Sequence, residues 1–258
     1  MPEILEIEMY RRGAEQLIGR RIDAVRAPDD WFLKGATAAD AAAALTDAEI
    51  VGTQRIGKLL LVETTAVTLG LRFGMTGRLV IDGVPIIAKL EYSTTRLADE
   101  WVRFGLDLDS GASLDINAPR RLGGVTLDPD RSALGIDAWQ STPAEIIAAL
   151  SGTRRALKAA LLDQKRVAGL GNLLVDELCW RCGVNPKRPV DELDDSEQAT
   201  LAAQIEPLLD ELYARGGSTE GDHVVARTSG GRCPRDGGLM VHGTVGGRST
   251  WWCQDHQR

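Results

Sequence analysis

Cysteine is scarce in this chain: four residues in 258 are too few for the disulfide-dense scaffold of a small secreted domain. No stretch approaches eighteen uncharged apolar residues, which excludes a spanning helix. The start is acidic rather than basic followed by an apolar run, so no secretion signal is read and the expected location is the cytoplasm. Net positive charge is also lacking. At −7 the chain has no global attraction to nucleic acid, but the average conceals segregation. Residues 151–190 hold eight Lys or Arg against three Asp or Glu, whereas 191–220 hold nine acids against one arginine. Phosphate contacts belong in the basic block.

What is present supports folded cores, since 43% of the residues are hydrophobic and the length suffices for one large domain or two ordinary ones. Residues 9–17 and the Ala-rich 36–45 read as helices. Short runs at 22–27, 49–55, 59–63, 66–73, 78–81, 88–92, 101–108 and 113–116 read as strands of a β-sandwich or barrel. Turn formers mark a connector at 126–141, and helical signals then dominate. Thr142, Pro143 and Glu145 form a capping signature for a helix to Leu150. Residues 153–162 continue as helix, a glycine turn leads into a helix from Asn172, and 196–215 form a longer helix with Pro207 as a candidate kink. The glycine-rich tail reads as a β-hairpin. These signals divide the chain at 1–125, 126–141, 142–222 and 223–258.

The tail carries a spaced donor set. Two residues separate Cys233 from Asp236 and Cys253 from His256, with sixteen between the inner pair, as in a structural zinc site on a hairpin. His242 is an alternative fourth donor, and the competing reading is a metal-free apolar plug of Met240, Trp251 and Trp252. At the other end, MPEILEIE reads by itself as an edge strand or a loose leader. Its chemistry offers more, because an α-amine titrates at about pH 8, and a secondary amine forms an iminium with an aldehydic sugar carbon. Loss of Met1, expected ahead of so small a residue as proline, would expose that amine on Pro2.

Taken together, MPEILEIE, RIGKLLL, LRFGMTGRL, INAPRRLGG, LGID, LLDQKRVAGLGNLLVDELCWRCGVNP, GGST and GGRSTWWC resemble, in order, the formamidopyrimidine-DNA glycosylase and endonuclease VIII family of base-excision repair enzymes. The resemblance implies a two-lobed α+β fold: an N-terminal β-sandwich with flanking helices, a helix-two-turn-helix lobe and a zinc-finger-like β-hairpin, with damaged double-stranded DNA held between the lobes. It implies a bifunctional glycosylase and abasic-site lyase that acts as a monomer, with structural zinc, no catalytic cofactor and no membrane partner, associated with the nucleoid when bound to DNA. Pro2 matches the nucleophile, Glu3 the proton-transferring acid, Glu6 a supporting carboxylate and Lys58 the lysine that grips phosphate and assists sugar opening. Met75 and Arg120 match residues that fill the gap left by a flipped base, with Leu122 as the third member. Asn172 and Arg248 match phosphate ligands, and Lys158 is a further candidate. Glu177 is read as ordering turn amides rather than as catalytic.

Several positions depart from the family pattern. Leu5 stands for a second proline, Ala118 for an acid, and Leu122 for an aromatic residue. The short segment 217–233 abbreviates the loop that covers a flipped oxidised guanine. A more open pocket is therefore expected, favouring abasic sites, ring-opened purines or oxidised pyrimidines over 8-oxoguanine. The rival functional classes are a catalytically weak lesion sensor on the same scaffold and a structural or RNA-contacting protein.

Overall fold

The computed structural model describes residues 2–91 and 93–258; Met1, and Tyr92 at the end of the predicted strand 88–92, lie outside the described residues. The chain divides into two compact units, one comprising Met1–Pro2 and Glu6–Arg131, the other Glu3–Leu5 and Ser132–Arg258. Among the described residues no helix is long and apolar enough to cross a membrane.

The first unit contains two antiparallel sheets. One is built from β2 (Ile50–Ile56), β3 (Leu59–Thr64), β4 (Thr68–Arg72) and β9 (Gly124–Leu127), in that order. The other runs β1 (Ile22–Arg26), β7 (Val102–Leu108), β8 (Ser113–Asn117), β5 (Arg78–Ile81) and β6 (Val84–Pro85). Alternation along the strands sends Leu60, Val62, Leu69 and Leu71 from the first sheet, and Phe104, Leu106, Leu114 and Ile116 from the second, into one shared core. Helices α1 (Ile4–Glu15) and α2 (Ala38–Leu45) close it with Ile7, Tyr10, Ala14, Ala41 and Leu45. A capping box formed by Thr37 and Asp40 starts α2.

Two expectations fail here. α1 begins at Ile4 rather than residue 9, so the opening stretch is neither a strand nor a loose leader. Its first turn buries Ile4, Leu5 and Ile7 alike, which erases the one-sided pattern that would have announced a helix. Residues 88–91 are irregular, with a bend at Ala88 and a turn at Glu91, and Arg78 donates to the Ala88 carbonyl at 3.2 Å, so that backbone is held by a side chain instead of a ladder.

The second unit packs α3 (Pro143–Leu150), α4 (Leu157–Leu161), α5 (Asn172–Cys182) and α6 (Asp195–Arg215) around one core, with a short parallel pair, β10 (Ile136–Asp137) and β11 (Val167–Ala168). The capping box at Thr142 opens α3 as its sequence requires, and a second, at Asp194 and Glu197, opens α6. Pro207 lies inside α6, which runs unbroken to a left-handed Gly216 cap. α4 is shorter than expected. Leu157 and Lys158 donate their N–H groups to the Arg188 and Pro186 carbonyls and Ala156 bridges Pro189, so residues 153–156 pair with a neighbouring loop instead of coiling.

β12 (Met240–Val245) and β13 (Arg248–Cys253) form the terminal hairpin, paired from Met240↔Cys253 to Val245↔Arg248. Gly246 and Gly247, at φ +57° and +72°, supply the two left-handed positions that a two-residue turn between right-twisted strands demands.

A buried charge cluster joins this hairpin to the helices of the same unit. Lys158, fully buried, donates to Asp176 at 2.6 Å and to the Ser249 carbonyl at 3.1 Å, and Arg227 stands 3.5 Å from the other Asp176 oxygen. The expected phosphate contact at Lys158 is corrected by this arrangement: its ammonium is committed to an internal carboxylate, whose burial would otherwise be far costlier. Beside it His223 is buried, and its backbone N–H donates to Glu177 at 2.8 Å, while both ring nitrogens lack a hydrogen-bond partner among the described residues. Burial, and then the positive charges of Arg227 and Lys158, push the imidazole pKa down to about 3. The folded state therefore favours neutral His223. That contribution is complete above the free value of 6.5 and is lost as pH falls toward about 3. Denaturant unfolding across this window should show stability falling with acidity, and His223→Phe should flatten the profile by up to about 1.4 kcal/mol per pH unit. Parallel profiles for the two proteins would remove His223 as the source.

Candidate functional site

Within the first unit, Pro2 is buried and lines a cavity of about 190 Å³ with Lys58, Arg72, Phe73, Gly74 and Leu122. Lys58 occupies the second position of the two-residue turn between β2 and β3, after Gly57 at φ +54°. The tight turn places Lys58 at the strand end, on the wall of the cavity that Pro2 also lines. Arg72, the last residue of β4, adds a second cation that the sequence did not single out. Its only sign there was its place next to the FGMTG turn.

Glu6 is buried in the same unit. Burial first, and the negative charge of Glu6 second, raise the pKa of the Tyr10 phenol, whose hydroxyl donates to the Gly77 carbonyl at 3.2 Å. Met75, on the turn that precedes Gly77, is half-buried. Arg120 and Leu122 stand on the segment after β8, with Leu122 exposed. Between them Arg121 adopts φ +54°, a conformation that favours glycine, and its guanidinium grips Asp29 through two hydrogen bonds.

Glu3 belongs to the second unit and is 1% exposed. Its carboxylate accepts from the N–H groups of Leu173 at 2.9 Å and Leu174 at 3.3 Å, in the first turn of α5, where no side chain of the helix's own N-cap serves. A Cβ on Gly171 would lie 2.2 Å from the Glu3 carboxyl carbon, so only glycine admits this approach. Asn172 opens the same helix, and its buried Oδ1 has no hydrogen-bond partner among the described residues. Arg248 is exposed beside the hairpin turn, next to the Ser249 carbonyl that receives Lys158. Glu177 orders turn amides as expected, accepting from Asp222 at 3.2 Å and His223 at 2.8 Å.

The tail donors converge. One ligand atom from each of Cys233, Asp236, Cys253 and His256 lies within 4.8 Å of the others. His256 Nδ1 is 3.0 Å from Asp236 and 3.5 Å from the Cys233 sulfur, and the Cys253 sulfur is 3.5 Å from Asp236. Edges of a tetrahedral zinc shell are about 3.3–3.8 Å, so the donor set fits this metal in both chemistry and size. The outer layer fits as well. His256 Nε2 lies 3.1 Å from the Trp180 carbonyl, which fixes Nδ1 as the inward lone pair, while Trp180 Nε1 donates to the Cys233 sulfur at 3.2 Å. Trp180 carried no signal in the sequence because its role arises only when α5 meets the tail. The Gly238 N–H, and then the Cys233, His256 and Cys253 side chains, hold the Asp236 carboxyl down at about 2.

His242 takes no part: it stacks on Trp251 and lies 2.9 Å from Ser249 Oγ. A small apolar cluster accompanies the donor set: Met240, Trp180 and Ala226 pack around the two cysteines with Trp251 against them, whereas Trp252 of the expected plug is not part of it and lies under Lys187.

Comparison with known proteins accords with this layout. Residues 1–125 match the formamidopyrimidine-DNA glycosylase N-terminal domain and residues 134–223 its H2TH domain. The formamidopyrimidine-DNA glycosylase of Jannaschia sp. (strain CCS1) is 33% identical over 288 residues, covering all of both chains, and that of Paracoccus denitrificans (strain Pd 1222) is 31% identical over 281 residues, covering 98% of each. In fold, the chain is similar to Lactococcus lactis Fpg solved with abasic-site DNA, at a TM-score of 0.84 and 22% identity, and to a point mutant of that protein solved with Fapy-dG DNA, at 0.85 and 23%, each over the full length of both chains. The chain belongs to the formamidopyrimidine-DNA glycosylase family.

Proposed function

We propose that this chain is a bifunctional DNA glycosylase and abasic-site lyase of base-excision repair, acting on damaged double-stranded DNA with Pro2 as nucleophile. The observation that carries the reading is the shared cavity of Pro2 and Lys58. Its volume, about 190 Å³, is below the roughly 300–1,000 Å³ of whole-ligand pockets, and suits a sugar carbon presented to an amine. The Pro2 nitrogen, freed by loss of Met1, attacks C1′; the N-glycosidic bond breaks and its electrons leave with the base. Glu3, held in place by α5, protonates the opening sugar oxygen, and the nitrogen lone pair completes the iminium. Loss of a C2′ proton then expels the 3′ phosphate, a second elimination expels the 5′ phosphate, and water hydrolyses the iminium. Lys58 steadies phosphate charge and the opening sugar, and Glu6 is a supporting carboxylate. Met75, Arg120 and Leu122 would enter the gap left by the extruded base, while Asn172 and Arg248 grip phosphate.

A chain with residues retained ahead of Pro2, so that its nitrogen is an amide, should give no borohydride-trapped adduct with abasic DNA. Pro2→Gly should keep DNA affinity yet fall below about one-hundredth of wild-type excision. Undiminished trapping in the extended chain would dismiss Pro2 as nucleophile.

Zinc is the metal we assign to Cys233, Asp236, Cys253 and His256, where it supplies folding energy to the hairpin that presents Arg248. Elemental analysis of untagged protein should return about one zinc per chain. Metal-free protein with unchanged hairpin folding and DNA binding would leave the apolar cluster as the sole support.

Lesion preference follows from segment 217–233, which consists of short turns, Ser218–Glu220 and Val224–Ala226, clamped by Glu177. So compact a segment has no length to cover a flipped purine. Single-turnover assays on matched duplexes should rank abasic sites, ring-opened purines and oxidised pyrimidines above 8-oxoguanine. A preference for 8-oxoguanine opposite cytosine over every other lesion would refute the loop-length argument.

A further inference from the structure

Among the described residues, Trp31 is the only exposed Trp, Tyr or Phe, with 66% of its surface open to solvent. An indole this open leaves a large part of its ring accessible to a partner. That position is closely held. Trp31 lies in the 3₁₀ turn Asp30–Phe32, whose two flanks are fixed to the segment carrying Arg120, Arg121 and Leu122. On one side Asp29 grips Arg121 and stands 3.7 Å from Arg103. On the other, Leu33 bridges Val125, and Lys34 donates its N–H to the Val125 carbonyl at 2.8 Å.

The Lys34 side chain completes the link. Its stem lies so close over Gly124 that a Cβ there would meet it at 2.8 Å. Its ammonium sits 4.1 Å from the Trp31 ring centroid and donates to the Trp31 carbonyl at 2.6 Å. The indole is thus one lysine side chain away from the segment 122–124. Leu122, at that segment's start, is 55% exposed and lines the Pro2 cavity. Lys34 lies against the indole, Arg103 and Arg121 flank Asp29 on the neighbouring turn, and Arg120 is exposed next to Arg121.

We propose that Trp31 is a specificity-determining residue that stacks on a nucleobase of the strand opposite the lesion, supplying the aromatic surface that Leu122 lacks. A rigid indole with cations beside it matches the alternation of flat base and charged phosphate along a nucleic-acid strand. A single aromatic in a cationic setting is a poor protein-docking patch, which would need contiguous apolar area. The inference rests on the reading that Leu122 enters the gap left by the extruded base.

The test uses full-length, zinc-replete protein and duplexes containing a tetrahydrofuran abasic analogue, with the opposite base varied and, in one series, replaced by 2-aminopurine. Trp31→Ala should weaken binding by about 5- to 100-fold, with an unchanged salt slope because no phosphate contact is lost. Trp31→Phe should stay within about 3-fold of wild type, and Leu122→Phe should recover much of the loss in the Trp31→Ala background. Opposite-strand 2-aminopurine should be quenched by wild type and by Trp31→Phe, but not by Trp31→Ala.

Binding by Trp31→Ala within about 2-fold of wild type, with quenching retained, would overturn the inference while wild-type borohydride trapping left the glycosylase reading intact. Equal losses in Trp31→Ala and Trp31→Phe accompanied by a lowered melting temperature would reveal a structural role and overturn it as well. A wild-type protein that neither binds nor traps abasic DNA would overturn both readings.

Discussion

The carboxylate of Glu3 on the first turn of α5 is the constraint on which the rest depends. Chain ends ordinarily fray. Here Pro2 is followed at once by a buried anion that satisfies two orphan N–H groups of a helix 170 residues away in sequence. The Ile4 N–H donates to the Gly169 carbonyl at 3.1 Å immediately afterwards. One interaction therefore completes a helix and immobilises a terminus. Gly171 is the local condition for it, since any side chain there would displace the carboxylate.

How much of this was legible in the sequence varied with the range of the physics involved. The α+β architecture could be read because strand alternation, capping boxes and glycine turns are local signals, and Thr142 with Glu145 fixed α3 to the residue. The tail donors could also be read, because spacing on a hairpin translates directly into proximity. The start of α1 could not: its first turn is buried on more than one side, and amphipathic period vanishes under such burial. α4 lost its first turn to pairing with residues 186–189, a competition between backbones that no propensity encodes. Asp29, Arg72 and Trp180 acquire their roles only through tertiary neighbours and were silent for that reason.

The basic block at 151–190 shows how a sequence count can overstate a binding surface. Of its eight cations, Arg154, Arg155, Lys158, Arg181 and Arg188 are ion-paired within the protein. Lys187 lies over the Trp252 ring, and Arg166 donates to the Ala149 and Ser151 carbonyls. Much of the local positive charge is structural, and the attraction left for a polyanion is narrower than composition suggests. Arg120 and Arg248, by contrast, stand exposed at the surface.

The cavity beside Pro2 has a pharmacological reading as well. With Met1 removed as proposed, Pro2 would place a secondary amine beside two cations, Lys58 and Arg72, an environment in which a small aldehyde with an acidic substituent would dock and condense reversibly. Surface lysines offer primary amines, mostly protonated at neutral pH, and so compete weakly for such a fragment. A cavity of about 190 Å³ would thus favour compact covalent fragments over mimics of a whole nucleoside.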